Sequence, residues 1–382
     1  MGISRRRLLH GIGSGAVAAA TLPGIAAGRS VLLMGAPENG GPIHLDRNEN
    51  PYGAPESAMA AMRESLKSPN RYPDGSVLTK KIAEHHNVSA EQVVLGCGSS
   101  EILRMAADAF LAPGRKLVLA TPTCPILASY ARQKGVEVVE VPLTREFAHD
   151  LVAMLPRCDH ATGMVYICNP NNPTGTLTPQ QDVQDFLHKL PAGIPVLIDE
   201  AYHHYVAATP SYASFLDQPG DEHTIVTRTF SKIYGLAGVR IGYAVAPKAL
   251  ATRLPQFALP FGENAAGIAG AMAALDDREF VSRSADRNRA DKQTFFNSAD
   301  VRYIRVTDTQ TNFTLLRLDH PIDEVIAHFR ANGIFVGPRF PQLDNYLRVS
   351  IGRPEESREF WRVWDMLPHK PVHGMSHGDP KG

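Results

Sequence analysis

Short apolar runs alternate with longer amphipathic stretches through the middle of this 382-residue chain. Seven of the runs have the length of a strand, and most of them are apolar at consecutive positions, not only at every second position. Strands of this kind indicate a largely parallel sheet that is covered by helices on both faces. The seven predicted strands lie at residues 93–95, 117–119, 136–141, 164–167, 196–198, 224–226 and 241–245.

Beyond residue 275 the pattern changes to a few strands with helices at either side. Apolar residues at helical spacing predict a helix over 322–332, which ends at Asn332 and Gly333. Strands are predicted at 334–336 and 346–351, followed by a helix at 355–367.

These patterns predict an α/β protein with two unequal domains. The large domain is expected to be a three-layer structure around a mostly parallel sheet, and the small domain an α+β structure. An N-terminal arm that contains one helix at 56–66 is expected to precede them. The predicted boundaries are 29–72 for the arm, 73–275 for the large domain, 276–368 for the small domain and 369–382 for a disordered tail.

Residues 1–28 have the pattern of an export signal. Arg5, Arg6 and Arg7 precede a stretch rich in Gly and Ala, and small residues follow Pro23. This order resembles a twin-arginine signal peptide, which predicts transient contact with the twin-arginine export machinery. A soluble periplasmic protein is therefore expected, with cleavage near residues 26–28; a basic N-terminus or an uncleaved anchor are the alternatives.

Composition excludes several classes of protein. The 39 basic residues balance 39 acidic ones, and no basic run is interleaved with aromatics, so nucleic-acid binding is not expected. An apolar content of 43% is typical of a packed soluble protein. The four cysteines lack the spacing of a zinc site, so neither a metal site nor a disulfide framework is predicted.

Polar, turn-forming loops follow five of the predicted strands. The carboxyl ends of parallel strands share one edge of a sheet, where ligands gather, so these loops are expected to form one polar cleft. The loops span residues 96–100, 121–124, 169–175, 199–202 and 228–232.

Charged residues in these loops suggest a phosphate and a protonated ring as ligands. Asp199 ends a buried strand, where a carboxylate is costly unless a cation such as a protonated ring nitrogen faces it. Lys232 in a cleft can lose its proton and form a Schiff base. Ser231 and Arg240 suit a phosphate dianion, as do the free N–H groups where a helix starts after residue 100.

Three motifs carry a resemblance to a known family. They are Asn-Pro-Asn-Asn-Pro-Thr-Gly at 169–175, Asp-Glu-Ala-Tyr at 199–202 and Ser-Lys-Ile-Tyr-Gly-Leu-Ala-Gly-Val-Arg-Ile-Gly-Tyr at 231–243. The chain resembles the fold-type I pyridoxal-phosphate aminotransferases over about residues 44–367. The sequences at 48–53, 71–74 and 347–352 are similar to the histidinol-phosphate aminotransferase-like branch.

The resemblance implies a role for each matching residue around pyridoxal 5'-phosphate. Lys232 would hold the cofactor as a Schiff base and then move the substrate proton, while Asp199 would keep the pyridine nitrogen protonated. Tyr202 and Asn172 would hydrogen-bond the phenolic oxygen of the ring. The phosphate would be bound by Ser99, Ser100, Ser231, Arg240 and, from a neighbouring subunit of a homodimer, Tyr72.

Substrate residues are also implied, together with two departures from the family pattern. Arg348 would bind a substrate carboxylate, with Tyr52, Asn172 and Arg339 as further substrate contacts. Cys124 fills the cofactor-binding position over the ring, where the family usually has an aromatic residue. Gly337 replaces an arginine that often serves histidinol phosphate.

We therefore predict an aminotransferase that exchanges an amino group between an amino acid or amine and a 2-oxo acid. The departure at Gly337 and the predicted export disfavour histidinol phosphate as the substrate. Two alternatives stay open at this point: another reaction of the same cofactor, such as that of a lyase or racemase, and a noncatalytic module that binds the cofactor or an amino acid.

Overall fold

The computed structural model describes residues 41–217 and 222–368. The predicted signal at 1–28 and the predicted tail at 369–382 lie outside the described residues. The helices are α1 Glu56–Ser65, α2 Ser76–His86, α3 Ser99–Phe110, α4 Ile126–Gln133, α5 Leu151–Met154, α6 Gln180–Lys189, α7 Lys248–Ala251, α8 Ala265–Asp276, α9 Arg278–Asp300, α10 Ile322–Ala331 and α11 Pro354–Trp364. The strands are β1 Ile43–Leu45, β2 Val93–Gly96, β3 Lys116–Thr121, β4 Glu137–Pro142, β5 Thr162–Cys168, β6 Val196–Asp199, β7 Thr224–Thr229, β8 Gly242–Val245, β9 Phe313–Arg317, β10 Ile334–Val336 and β11 Tyr346–Ser350.

The seven predicted strands of the large domain form one seven-stranded sheet in the order β2-β8-β7-β6-β5-β3-β4. Strands β4, β3, β5, β6 and β7 pair in parallel, whereas β8 is antiparallel to both of its neighbours. The prediction of an α/β fold around a mostly parallel sheet is confirmed. Because β5 and β6 lie at the centre, their carboxyl ends bring two polar loops side by side.

Alternate residues of β5 show why its apolar run is continuous. Met164 and Tyr166 pack into a core with residues of α3 and α4, whereas Val165 and Ile167 pack into a second core with residues of α6. Both faces of the strand are therefore buried, as the sequence pattern indicates.

The C-terminal part contains two further small sheets. Strand β11 pairs with β9 in antiparallel orientation, and β1 pairs with β10 in parallel. An apolar core that includes Phe329, Phe360 and Trp361 packs between these strands and helices α9 to α11. The N-terminal arm is thus joined to the C-terminal part through β1, which the sequence pattern does not predict.

Within residues 41–217 and 222–368, no helix has the length and apolar character needed to cross a membrane. The same residues contain no group of three or more His, Cys, Asp or Glu side chains that could hold a metal ion.

Candidate active site

Loops at the carboxyl edge of the large sheet surround a cavity of about 400 Å³, together with the arm and β11. Ten of the predicted site residues line it. They come from loops and element ends far apart in sequence, which the parallel sheet brings to one edge. The ten are Ser99, Ser100, Cys124, Asn172, Asp199, Tyr202, Ser231, Lys232, Arg240 and Arg348.

Lys232 lies in the loop after β7 with its amine directed at the arm. Its Nζ donates hydrogen bonds to the carbonyl oxygens of Arg47 and Asn48, each at 3.0 Å. Burial, followed by the positive charge of Arg348, lowers the pKa of the lysine to about 8. The amine is therefore much closer to its neutral, nucleophilic form at physiological pH than an exposed lysine is.

Asp199 ends β6 and is almost fully buried. One carboxylate oxygen accepts a hydrogen bond from the Tyr166 hydroxyl at 3.0 Å, and the other accepts one from the Ala201 backbone N–H at 3.2 Å. Burial raises the pKa of this carboxyl to about 6, against the effect of the two hydrogen bonds. A cationic ligand group facing Asp199 would favour its ionised form.

The start of α3 lies close to the Arg240 side chain. Gly98, which directly precedes α3, is in contact with the Arg240 guanidinium. The guanidinium of Arg240 donates to the Ser231 hydroxyl at 3.3 Å and to the carbonyl oxygens of Ala237 and Cys97. Arg240 also has a φ of 51°, a left-handed backbone conformation that a non-glycine residue adopts at some cost. This end of the cavity gathers hydroxyl, guanidinium and helix N-terminal donors, a set that suits a phosphate.

Tyr202 and Asn172 meet in the middle of the cavity. The Tyr202 hydroxyl accepts hydrogen bonds from the amide nitrogens of Asn48 at 3.0 Å and Asn172 at 3.4 Å. The Asn172 amide oxygen accepts in turn from Arg348 at 2.8 Å. Asn172 thus connects the two sides of the cavity.

Arg348 projects from β11 and is 7% exposed. Besides Asn172, its guanidinium donates to the Asp46 carbonyl oxygen at 2.6 Å, and its buried Nε has no hydrogen-bond partner among the described residues. Burial lowers its pKa. A buried guanidinium whose hydrogen bonds go only to neutral oxygens is an electrostatic site for an anion.

Cys124 lines the cavity beyond β3, as the sequence predicts for the position over the ring. Burial raises the pKa of its thiol to about 11, and the nearby Asp199 carboxylate acts in the same direction. The thiol is therefore protonated and behaves as a small apolar group.

Three predicted site residues do not line the cavity. Tyr72 is 78% exposed and stacks on Phe261. The Tyr52 hydroxyl donates to Asp291 at 2.7 Å. Arg339 is paired with Asp344 and Asp323, so its charge is already balanced at the surface.

Gly337 has a packing reason of its own. Its backbone N–H donates to the Arg348 carbonyl oxygen at 2.9 Å, and a Cβ at this position would lie 2.5 Å from that oxygen. A side chain here would force the neighbouring strand away, so the glycine sets the position of β11 and hence of Arg348.

Several cavity residues escape the sequence analysis. Arg47, Asn48 and Glu49 line the cavity from the arm. The sequence motif at 48–53 predicts only the family branch for Asn48 and Glu49, and Arg47 lies outside it. Tyr166 lies within an apolar run and is interpreted only as part of a strand. Since β5 pairs Cys168 with Asp199, the two-residue periodicity of strands places Tyr166 on the same face as that carboxylate.

The donor set fits pyridoxal phosphate. Within the two described segments, Lys232, Arg240 and Arg348 form no ion pair with a carboxylate. With Arg47 they give the cavity four cationic side chains against two acids, the exposed Glu49 and the buried Asp199. Such an excess of positive charge suits an anionic cofactor and an anionic substrate. The one buried acid of this lining, Asp199, suits the cofactor's basic ring nitrogen.

Comparison with known proteins agrees with this geometry. The profile of the family "Aminotransferase class I and II" matches residues 41–363. The chain is 36% identical over 329 residues to the histidinol-phosphate aminotransferase of Bacillus subtilis (strain 168), covering 84% of this chain and 90% of that protein. It is 38% identical over 328 residues to that of Brevibacillus brevis, covering 84% and 89%.

A solved structure shows the same fold. The histidinol-phosphate aminotransferase from Sinorhizobium meliloti, in complex with pyridoxal-5'-phosphate, has a TM-score of 0.79 and 24% identity, covering 85% of this chain and 89% of that chain. The predictions of the family, the cofactor and an amino-transferring enzyme are confirmed. Our expectation that histidinol phosphate is a disfavoured substrate is not borne out by these relatives.

Proposed function

The chain belongs to the class I and II aminotransferases and depends on pyridoxal phosphate, and from this we propose that its two substrates share one anion site at Arg348. The amino donor carries an anionic group, either the carboxylate of an α-amino acid or the phosphate of an amino-alcohol phosphate such as histidinol phosphate. The acceptor is a 2-oxo acid, whose carboxylate uses the same guanidinium in the second half of the reaction.

The state of Arg348 is the observation that carries this proposal. Its guanidinium is buried, donates to no carboxylate among the described residues and keeps one N–H group without a partner there. Leaving a buried charge unpaired is costly unless a ligand balances it. Both carboxylate and phosphate oxygens match the fork of N–H donors that a guanidinium presents.

The cofactor, when bound, withdraws electrons from the substrate carbon that loses its proton. We assign its phosphate to Ser99, Ser100, Ser231 and Arg240, and its ring nitrogen to Asp199. We assign its ring oxygen to Tyr202 and Asn172, whose side chains are hydrogen-bonded to each other.

Lys232 is the group that moves the proton. The amine lines the cavity, and its lowered pKa allows it to take a proton from the substrate carbon and return it to the cofactor side. Arg348 orients the substrate so that the breaking bond faces this amine.

A panel of paired amino donors tests the proposal. Glutamate and histidinol phosphate would each be compared with a partner that lacks only the anion, 4-aminobutanoate for the α-carboxylate of glutamate and histidinol for the phosphate. Loss of the cofactor's visible band in single-turnover mixing reports the half-reaction. At least one anion-bearing donor should react at least tenfold faster than its partner; equal rates within both pairs would contradict a shared anion site.

A homodimer is the second part of the proposal. Tyr72 and Phe261 stack with 4.7 Å between ring centroids while both are largely exposed, and Leu259 nearby is also exposed. A second copy would cover this apolar pair and place Tyr72 at the neighbour's phosphate site.

Mixed dimers test the role of Tyr72. The variants Tyr72→Ala and Lys232→Ala would be unfolded, combined and refolded together. Because a mixed dimer has one site without either substitution, activity should reappear on mixing, whereas no gain over the separate variants would exclude the shared site. Light scattering gives the molar mass in parallel.

Export is the third part, supported by the paired arginines at the N-terminus. Fractionation of cells that produce the full chain would show the protein in the periplasm. The double substitution Arg5→Lys and Arg6→Lys should retain it in the cytoplasm, whereas Arg29→Lys should not. A cytoplasmic location of the unchanged chain would refute this part.

A further inference from the structure

Tyr166 is a fully buried tyrosine that lies beside the proposed partner of the cofactor ring. It is 0% exposed in the centre of β5, and its hydroxyl donates a hydrogen bond to Asp199 Oδ2 at 3.0 Å. Phenol groups in a core need a partner, because an unpaired hydroxyl there is costly. Here the partner is the one buried carboxylate that lines the cavity.

The hydrogen bonds of Asp199 indicate that the Tyr166 hydroxyl fixes the position of the carboxylate. Its other oxygen accepts only from the Ala201 backbone N–H, which is part of the same turn and follows the aspartate wherever it moves. Among the described residues, Tyr166 is the one side chain that donates a hydrogen bond to Asp199. It is also anchored from a different strand, so it fixes the carboxylate relative to the sheet.

We propose that Tyr166 is a positioning residue, whose hydroxyl holds the Asp199 carboxylate ionised and aimed at the protonated ring nitrogen of the cofactor. The inference rests on the proposed role of Asp199. Tyr166 lies behind the aspartate and acts through it, without touching the reacting atoms.

The surroundings of Asp199 make this bond consequential. Its titratable neighbours are Tyr166 and Cys168 from β5, Cys124 from beyond β3, Glu200 in its own loop and Lys232 from beyond β7. Burial raises the pKa of Asp199, and the hydrogen bond from Tyr166 is the largest influence that lowers it. Without the hydroxyl, the pKa rises further, and the carboxylate is protonated at a higher pH as the pH falls.

Three substitutions separate this role from simple packing. Tyr166→Phe removes only the hydroxyl and keeps the ring in its core. Tyr205→Phe is the matched control, because Tyr205 is also a buried tyrosine next to the cavity wall and its hydroxyl makes no hydrogen bond with a described residue. Asp199→Asn removes the titrating group itself.

The measurement is the dissociation constant of pyridoxal phosphate from the full-length protein across acid to mildly alkaline pH. It is read from the visible absorbance of the bound cofactor and does not depend on turnover or on the choice of substrate. Y166F should bind the cofactor roughly tenfold more weakly than the unchanged protein at neutral pH, and its affinity should begin to fall at a higher pH. Y205F should follow the unchanged protein.

The double variant Y166F/D199N distinguishes the outcomes. If Tyr166 acts through Asp199, the double variant binds the cofactor as D199N does. An unchanged pH profile of Y166F, or an equal further loss in the D199N background, would overturn the inference. If D199N itself binds the cofactor as the unchanged protein does, the role of Asp199 is wrong, which is a separate failure.

A second measurement applies if Y166F does not fold. The infrared difference between the unchanged protein and D199N isolates the Asp199 carboxyl group. An ionised carboxylate band at neutral pH is expected with the cofactor bound, and a protonated band would overturn the inference.

Discussion

Two buried arginines of this molecule have opposite surroundings. Arg228 on β7 is 4% exposed and pairs with Glu200, while its guanidinium also donates to Ser214 at 2.7 Å. Arg348 is 7% exposed, yet its hydrogen bonds go only to the neutral oxygens of Asn172 and the Asp46 backbone. The Arg228–Glu200 pair does not line the cavity and balances its own charges, whereas Arg348 lines the cavity and forms no ion pair with a carboxylate of the described residues.

The neighbouring acids Glu200 and Asp199 differ in the same way as the two arginines: one is paired with an opposite charge and the other is not. Glu200 accepts from Arg228, from the Ser214 hydroxyl and from the Phe215 backbone N–H. Asp199 accepts from one phenol and one amide and has no cation bonded to it. Two adjacent residues at the end of one strand therefore divide into a structural charge and a charge for binding.

The largest effect is expected from two buried lysines that both have a pKa lowered to about 8 by burial. Lys232→Ala should slow the half-reaction by at least roughly 10²-fold, since acid–base catalysis by a positioned side chain is worth about 10²–10⁴-fold. Lys292 donates to the Thr309 carbonyl oxygen outside the cavity, so Lys292→Met should instead lower the free energy of unfolding by about 1–3 kcal/mol. Single-turnover kinetics and chemical denaturation measure the two effects; similar kinetic losses in both variants would contradict the division.

Breaking the structural pair should destabilise the fold more than any change to the anion site. Glu200→Gln leaves Arg228 buried without its counter-charge, at a cost of about 3–5 kcal/mol in the free energy of unfolding. The double change Glu200→Leu and Arg228→Met should recover most of that loss. Denaturant titration checks both, and an unaltered midpoint for Glu200→Gln would show that this pair contributes nothing.

Arg348→Met should weaken substrate binding strongly and destabilise the fold less than Glu200→Gln does. The KM for anionic substrates is expected to rise roughly 10- to 100-fold, because hydrogen bonds to a charged group contribute about 1.5–3 kcal/mol. Its cost in unfolding free energy should be smaller than that of Glu200→Gln, since no ion pair is broken. Steady-state kinetics with each substrate and denaturant titration give the comparison; an equal loss of stability in the two variants would reject it.

The smallest effect concerns the ring position. Cys124→Phe restores an aromatic group where the family usually has one, and an aromatic contact is worth about 0.5–1.5 kcal/mol. The cofactor should dissociate about 2- to 10-fold more slowly. Competition with an excess of a scavenging apoenzyme measures this rate, and faster dissociation would indicate that the cavity has no room for the ring.

The sequence predicts the central sheet well because each of its strands is locally recognisable. Continuous apolar runs predict strands that are buried on both faces of the sheet. The polar loops that follow these runs predict the edge of the sheet where ligands bind. Strand β1 is missed, since it is three residues long and its pairing with β10 joins residues nearly 300 positions apart. No local pattern encodes such a contact.

The sequence predicts those site residues that belong to recognisable motifs. Ten predicted residues line the cavity. Most of them belong to motifs in loops that follow strands of the large sheet, and the carboxyl ends of parallel strands share one edge. Arg339 illustrates the limit, because its partners Asp323 and Asp344 become neighbours only after folding. Tyr166 shows the opposite limit, where a functional hydroxyl is concealed in an apolar run.

The hydrogen bonds around Tyr202 also determine which way its hydroxyl hydrogen can point. A guanidinium can only donate, so the Asn172 amide must turn its oxygen towards Arg348 and its nitrogen towards Tyr202. Since the Asn48 nitrogen also donates to the same phenol oxygen, both lone pairs of Tyr202 are occupied. Its own O–H bond has no acceptor left among these neighbours and is free to be given to an incoming molecule.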